Sequence, residues 1–300
     1  MASIKVKPLS PHVGAEIGDV DLTRPLAAEQ VSAMKDALGR HGVLFFREQP
    51  IDLEMHRRFA MYFGELHVHV GGEGTASKPD EKYPEARRQH FDANSKRVSG
   101  EVWHTDQSCA AIPPMASILH QRIIPPDGGG DTLFASMYAA YDALSDRMKA
   151  FLAGLTATHD GAKLFDKGTK TVYPVSSHPI VAVHPWTGKK LLYVNRGQTV
   201  QIDDLPPDES AAILEFLFEH IECPEWQMRF HWRENSIAFW DNRCTQHRAI
   251  WDYWPHVRSG YRVQIKGTQP PMPRITESMP CTSKAMWLSD EVPVRAYAMQ

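Results

Sequence analysis

Apolar and polar positions alternate in short runs along most of this chain, and only a few stretches change to a helical repeat. Residues 4–22 alternate loosely around glycines at 14 and 18, which predicts two short strands joined by a turn. Val31, Met34 and Leu38 recur at helical spacing and predict a helix over 27–38, closed by Gly39 and Gly42. Gly42-Val43-Leu44-Phe45-Phe46 reads as a buried strand, and Asp52 as the N-cap of a helix that runs to Phe63.

From His67 to Gly100 the periodicity fades into Gly71, Gly72, Gly74, Pro79, Pro84 and charged residues. So long a connection predicts a lid over a site, residues 67–101, against the plainer reading of a mobile loop. Beyond it the pattern predicts strands over 116–124 and 132–134, a helix over 137–155, and a hairpin from 180–184 and 191–194. An amphipathic helix over 208–221 and strands over 227–232, 236–240 and 261–265 follow. Short strands with turns between them and helices outside predict a mainly β chain with flanking helices, its core a sandwich or barrel. Residues 1–268 read as one domain. Residues 269–300, rich in Pro, Met and Ser, read as an extension that wraps the surface or a neighbouring subunit.

A formal charge of −3 with mixed signs leaves no basic stripe for phosphates, so nucleic acid is not expected as a partner. No apolar run is long enough to span a bilayer and the first residues lack a secretory h-region, which predicts a cytoplasmic protein without a membrane partner. Cys109, Cys223, Cys244 and Cys281 show no Cys-x-x-Cys pairing and read as reduced thiols.

Chemistry concentrates at Trp103-His104-Thr105-Asp106. In extended chain His104 and Asp106 share a face, and one imidazole plus one carboxylate make two of the three ligands of a 2-His-1-carboxylate iron site. Taken alone the pair is weak, since such spacings arise by chance on solvated loops. A second histidine must come from elsewhere. His247 follows an apolar strand and a polar turn, and by itself it reads more readily as an ordinary surface or hydrogen-bonded histidine than as a ligand. Arg258 and Arg262 lie four apart on one predicted strand and share its face. They are either both in water or both inward and facing anions, because an unpaired buried charge is costly.

Several segments together carry a family resemblance. They are Gly14-Ala15-Glu16-Ile17, Phe63-Gly64-Glu65-Leu66-His67, Trp103-His104-Thr105-Asp106, Pro113-Pro114, Gly129-Gly130-Asp131-Thr132-Leu133-Phe134, Ser177-His178-Pro179, Tyr193-Val194-Asn195 and Trp240-Asp241-Asn242-Arg243-Cys244-Thr245-Gln246-His247. From about Val6 to Gln269 the chain resembles the taurine dioxygenase and 2,4-D dioxygenase family of Fe(II)- and 2-oxoglutarate-dependent oxygenases. The resemblance implies a double-stranded β-helix, a cupin-like jelly roll. It implies iron ligands at His104, Asp106 and His247, and a 2-oxoglutarate tail held by Arg258 and Thr132. It also implies a substrate anion met by Arg262, with His69 as a substrate contact. The implied reaction hydroxylates a C–H bond of a small anionic substrate with O2, turning 2-oxoglutarate into succinate and CO2, in a homo-oligomer (dimer or tetramer).

Departures bear on the substrate. Val70-Gly71-Gly72 stands where taurine dioxygenases carry a tyrosine, the substrate asparagine before the iron motif is replaced around Gly100, and Cys109 stands where an aromatic walls the pocket. Sulfonates, alkyl sulfates and aryloxyalkanoates remain open as substrates, as does an amino acid or biosynthetic intermediate. A non-catalytic cupin that senses a small acid is the rival of a different class. A zinc hydrolase is a further one, but it has no His-Glu-x-x-His helix to support it.

Overall fold

The computed structural model describes residues 4–70, 77–165 and 172–274. Its main sheet orders eight strands as Lys5–Pro8, Ala15–Gly18, Val43–Phe46, Ser236–Asp241, Ala116–Ile123, Arg258–Ile265, Ala86–Phe91 and Lys78–Pro79. A three-stranded sheet, Gln227–Phe230, Thr132–Ser136 and Thr245–Ala249, lies against it. The central strands are buried on both faces, which is why they read as continuous apolar runs. On Val43–Phe46 and Ser236–Asp241, Leu44, Phe46, Ile237 and Phe239 pack with Met34, Leu38 and Phe59 of the helices Ala28–His41 and Leu53–Met61. The alternate residues Val43, Phe45, Ala238 and Trp240 meet Phe134 and Phe230 of the smaller sheet, with the Phe45 and Phe230 rings stacked at 3.9 Å.

Moving across the sheet, this inner face changes character. On Ala116–Ile123 and Arg258–Ile265 it presents Ser117, Gln121, Arg258, Arg262 and Gln264, all buried. An interior lined by buried polar groups on one side of an apolar sandwich is where a site belongs.

Four expectations from periodicity change. The helix expected over 137–155 is two, Met137–Asp142 and Asp146–Leu152, because Ser145 caps the second one by accepting from Met148 N at 3.2 Å. A sheet of Thr199–Ile202, Thr156–Asp160 and Val175–Pro179 was not expected, since its strands carry Thr, Ser and His in place of an apolar alternation. Asp203 ties them together, accepting from Thr156 at 2.5 Å and Thr158 at 2.7 Å. The expectation of an irregular connection over 67–101 is corrected at Ala86–Phe91, a full strand paired with Arg258–Ile265 that buries Arg87 and Gln89 on the same face as Phe91. Part of that segment, 71–76, lies outside the described residues. Thr245–Ala249 is a strand where the sequence suggests a turn and a lone histidine. Of the C-terminal extension, Met272 accepts from Val183 N at 2.8 Å, and residues 275–300 lie outside the described ones. Among the described residues no helix is long and apolar enough to cross a membrane.

Beneath the helix Leu53–Met61, His56 and His120 meet edge to face at 6.1 Å, both fully buried, with none of their four ring nitrogens in a hydrogen bond of normal geometry. Burial, each other and Arg122 push His56 down to about 3, while burial and then Arg122 push His120 down to about 4. Both are neutral in the fold and protonate in the unfolded chain near 6.5. Stability is therefore full above 6.5 and falls as the pH drops from there toward 4, because only the unfolded chain takes up protons in that window. By about pH 4.5 each imidazole should have cost roughly 2–3 kcal/mol. Urea titrations of wild type and His56→Leu near neutral and near pH 4.5 check this. The variant should lose distinctly less stability on acidification, and equal losses would refute the assignment.

Candidate active site

His104 and His247 are brought together by backbone pairing. They form an isolated antiparallel bridge in which His104 N donates to His247 O at 3.2 Å and His247 N donates to His104 O at 2.9 Å. Such a mutual pair puts two side chains on one face, and here the ring centroids are 4.2 Å apart. Two close approaches leave room for this. Gly100, at φ +83°, lies where a Cβ would come within 3.0 Å of His104 Cε1, and Gly197 where one would meet His104 Cβ at 2.9 Å. The His247 ring rests on Trp240, 4.7 Å away, and so on the apolar core.

Asp106 follows in an extended segment that turns at once, with Gln107 at φ +51°. The chain is an isolated bridge plus a turn, shorter than the strand expected there, yet His104 and Asp106 do share a side. Donor atoms of His104, Asp106 and His247 all lie within 4.8 Å of one another, and His104 Nε2 is 3.7 Å from Asp106 Oδ1. His104 Nδ1 is 2.8 Å from Val102 O, which fixes the proton on Nδ1 and leaves the Nε2 lone pair toward Asp106. His247 Nδ1 is buried with no partner. Burial lowers both imidazoles and keeps them neutral. Burial alone would raise Asp106, but Arg262, His247, His104 and the Ser117 hydroxyl together hold it below the usual carboxylate range. Two neutral imidazoles and one carboxylate, converging in a dry interior, fit a divalent transition metal.

Arg258 is 4% exposed, and no carboxylate of the described residues lies within ion-pair distance of it. The nearby Asp131 is already taken, accepting from Arg229 Nε at 2.5 Å and facing His231 Nδ1 at 2.9 Å. With the Gln121 amide turned to suit its neighbours, Gln121 O accepts from Arg258 Nη1 at 2.8 Å and from Nη2 at 3.1 Å, while Nε keeps no partner. The guanidinium lies over Trp232 at 5.5 Å, and Trp232 Nε1 donates to Thr132 Oγ1 at 3.0 Å. That contact uses the hydroxyl as acceptor and leaves its own proton to offer. Gly130, at φ +84°, permits the approach, since a Cβ there would sit 2.8 Å from Arg258 Cδ. A buried cation beside a spare hydroxyl donor is a socket for a carboxylate.

Arg262 differs from what its sequence position suggests. It is inward and buried, but it already has an anion, since Nη1 donates to Asp106 Oδ1 at 2.8 Å. Its Nε is free of partners. Across the strand pair stands Arg87, which donates from Nε to Ser77 Oγ at 2.9 Å and which burial, then Arg262, lowers to about 10. His69 is buried beside this pair, its ring 5.5 Å from Phe165, and burial followed by Arg262 and Arg87 holds it neutral. All seven residues singled out from the sequence thus lie in or beside one interior. Sequence reading missed Ser117, Gln107, Gln264 and Trp232. Gln264 had a signal, being two residues from Arg262 on the same strand face.

A second trio, His184, Asp241 and Cys244, is equally close-set. Its valences are spent. His184 Nδ1 accepts from Trp186 N at 3.2 Å, so its Nε2 proton goes to Asp241 Oδ2 at 3.1 Å, and Arg243 grips both oxygens of Asp241 at 2.8 and 2.6 Å. It clamps the fold.

Fold and site together define a metal-dependent oxygenase on a double-stranded β-helix. Residues 5–264 match the family model of the taurine catabolism dioxygenase TauD, TfdA family, and the chain belongs to that family. It is an alpha-ketoglutarate-dependent dioxygenase. Among its relatives, an alpha-ketoglutarate-dependent sulfate ester dioxygenase of Pseudomonas putida is 33% identical over 291 residues, covering 89% of this chain and 91% of its own. The crystal structure of a taurine dioxygenase from Burkholderia xenovorans, 39% identical, superposes with a TM-score of 0.78 over 89% of this chain and 91% of its own. That of AAD-2 in complex with Mn(II) and N-oxalylglycine, 27% identical, does so with a TM-score of 0.75 over 90% of this chain and the whole of its own.

Proposed function

We propose that His104, Asp106 and His247 hold Fe(II), that Arg258 and Thr132 hold the distal carboxylate of 2-oxoglutarate, and that Arg262 with His69 orients a small anionic substrate. The observation that carries this reading is the closure of the triad next to a buried arginine with no carboxylate of its own among the described residues. Bound iron and 2-oxoglutarate would supply the oxidising power, one atom of O2 entering succinate as the keto acid loses its C1 carboxylate as CO2 and the other entering the substrate C–H bond. This chain's residues do the positioning. Arg258 fixes the co-substrate tail, the neutral imidazoles stay available as donors, and Trp240 and Phe134 keep water from behind His247.

Arg262 Nη1 rests on Asp106 while its Nε still lacks a partner, which suits a guanidinium that reaches from the metal carboxylate to a substrate anion. Gly100 and Cys109 offer no carboxylate or amide oxygen to meet an ammonium, and this favours sulfonates without one, alkyl sulfates and aryloxyalkanoates over a zwitterion. Where the attacked carbon bears oxygen or sulfur, the hydroxylated product breaks down to a carbonyl compound and releases that anion or phenol. We further read the protein as a cytoplasmic homo-oligomer in which residues 1–268 form one dioxygenase domain and 67–101 its cover.

Succinate formation from 2-oxoglutarate, measured with iron and ascorbate across a panel of these three anion classes, tests the reading. One class should stimulate turnover well above the uncoupled background, and no stimulation by any would refute the substrate assignment. Arg262→Ala should raise the KM for the stimulating substrate by roughly 10–100-fold, the loss of a charge-assisted contact, and leave that for 2-oxoglutarate within a few-fold. Equal effects on both would refute its role.

A further inference from the structure

Asp106 is tied to the segment that carries His69 by an unbroken run of hydrogen bonds, every one of which points the same way. Val70 N donates to Gln107 Oε1 at 2.7 Å, and Gln107 Nε2 donates to Gln264 Oε1 at 2.7 Å. Gln264 Nε2 donates to Ser117 Oγ at 3.0 Å, and Ser117 Oγ donates to Asp106 Oδ2 at 2.6 Å. The direction is forced at the Ser117 end. Its oxygen also accepts from Asn242 Nδ2 at 3.0 Å, so both lone pairs are filled and its single proton has only the carboxylate to go to. His67 adds to the far end, with Nε2 3.1 Å from Gln107 Oε1 and its backbone N donating to Gln264 O at 2.9 Å.

The central members are buried, Gln107 at 1% exposure, Ser117 at 0% and Gln264 at 2%. Aligned bonds in a dry interior polarise one another, so each is strengthened by the next. Gln107 reaches this position only through a left-handed backbone at φ +51°, a conformation that costs a non-glycine residue free energy and persists where its surroundings enforce it. Nothing in the metal reading uses Gln107. Its side chain contacts no metal donor directly, yet it carries the side-chain path from the Val70 amide to the carboxylate, beside the backbone bond from His67 N to Gln264 O.

We propose that Gln107 is a positioning residue that couples metal occupancy at Asp106 to the order of the His67–Val70 segment, which carries the substrate contact His69. The inference rests on the metal-site reading above. Metal pulls charge from the carboxylate, the Ser117 proton adjusts, and the change is passed through Gln264 and Gln107 to the amide of Val70. By linkage the dependence is mutual: an ordered segment tightens metal binding by the same factor by which metal orders the segment.

The test uses Mn(II), which binds without turnover, on the full-length protein. Calorimetry gives the Mn(II) dissociation constant, and hydrogen–deuterium exchange of peptides covering His67–Val70 gives the segment's order with and without metal. In wild type, saturating Mn(II) should slow that exchange by about 5–10-fold, the lower range of measured site-to-site couplings. Ser117→Ala should raise the dissociation constant by roughly 10–100-fold, as loss of a group supporting a ligand does. Gln107→Met should leave exchange the same with and without metal and weaken Mn(II) by about the factor that wild type shows in exchange.

A merely structural role is separated by the double variant Gln107→Met with Gln264→Met. Replacing both glutamines leaves neither side-chain amide half-paired, with only the half-buried Val70 N–H losing its acceptor, and should recover much of the thermal stability that Gln107→Met loses, because paired apolar replacement is nearly neutral. The coupling should stay lost, and its return in the double variant would overturn the proposal. So would unchanged exchange in wild type at a saturating level of bound Mn(II). A wild type that binds no Mn(II) at all would instead bring down the metal reading itself, and the coupling with it.

Discussion

Asp106→Ala is expected to bind no ferrous iron and to form no succinate, and its metal-free fold should be weakened as well. The first effect follows from losing the only anion among three metal donors, and it should exceed the roughly 10–100-fold loss seen when a residue that merely supports a ligand is changed. The second comes from Arg262, which Asp106 neutralises at 2.8 Å in the interior. Deleting one partner of a buried ion pair costs about 3–5 kcal/mol, because the other charge is left stranded. The Ser117 proton loses its acceptor at the same time. Urea unfolding of metal-free protein and anaerobic iron titration measure the two effects separately. Asp106→Asn should keep more of the hydrogen bonding and still fail to hold iron tightly. Succinate formation by Asp106→Ala near the wild-type rate would remove the metal site from consideration.

Arg258→Met carries the second large effect, and its two consequences have opposite signs. In the ligand-free protein Arg258 is a buried cation without a carboxylate partner among the described residues, satisfied only in part by Gln121. Replacing it with an apolar side chain of similar length removes that desolvation penalty, so the melting temperature of ligand-free protein should rise or hold. Binding of 2-oxoglutarate should fall by roughly two to four orders of magnitude, since about 3–5 kcal/mol is lost when one member of a buried charge pair is missing. A titration of the anaerobic iron complex reads the affinity, and scanning calorimetry without ligand reads the stability. Unchanged 2-oxoglutarate affinity would place the co-substrate elsewhere. A large destabilisation of the ligand-free protein would show Arg258 to be a pillar of the fold. The contrast with Asp106 is physical: one residue already has its counter-charge and the other awaits it.

Much of this protein could be read from the order of its residues. The strand Val43–Phe46 and the run over 237–240 are continuously apolar because helices cover one face and a second sheet the other, and a run of that kind announces itself in any window of the chain. The Asp52 cap, the helix Pro207–Ile221 and the shared face of Arg258 and Arg262 are likewise local facts, set by period and by capping chemistry. The strands Ala86–Phe91 and Thr156–Asp160 escaped because they bury arginine, glutamine and histidine and half-bury threonine, whose partners lie outside the strand itself and are invisible to periodicity.

His104, Asp106 and the two arginines could be named from sequence because their spacing fixes which way they point relative to near neighbours. That His247 faces His104 depends on a bridge between segments 143 positions apart. That Arg262 rests on Asp106, that Arg258 has no carboxylate, and that Ser117 has one proton with one place to send it were decided by the tertiary structure alone. Local sequence settles conformation through sterics and the burial of apolar faces. Which charge meets which is settled only when distant strands close on a dry interior, where each polar group must find a partner or go without.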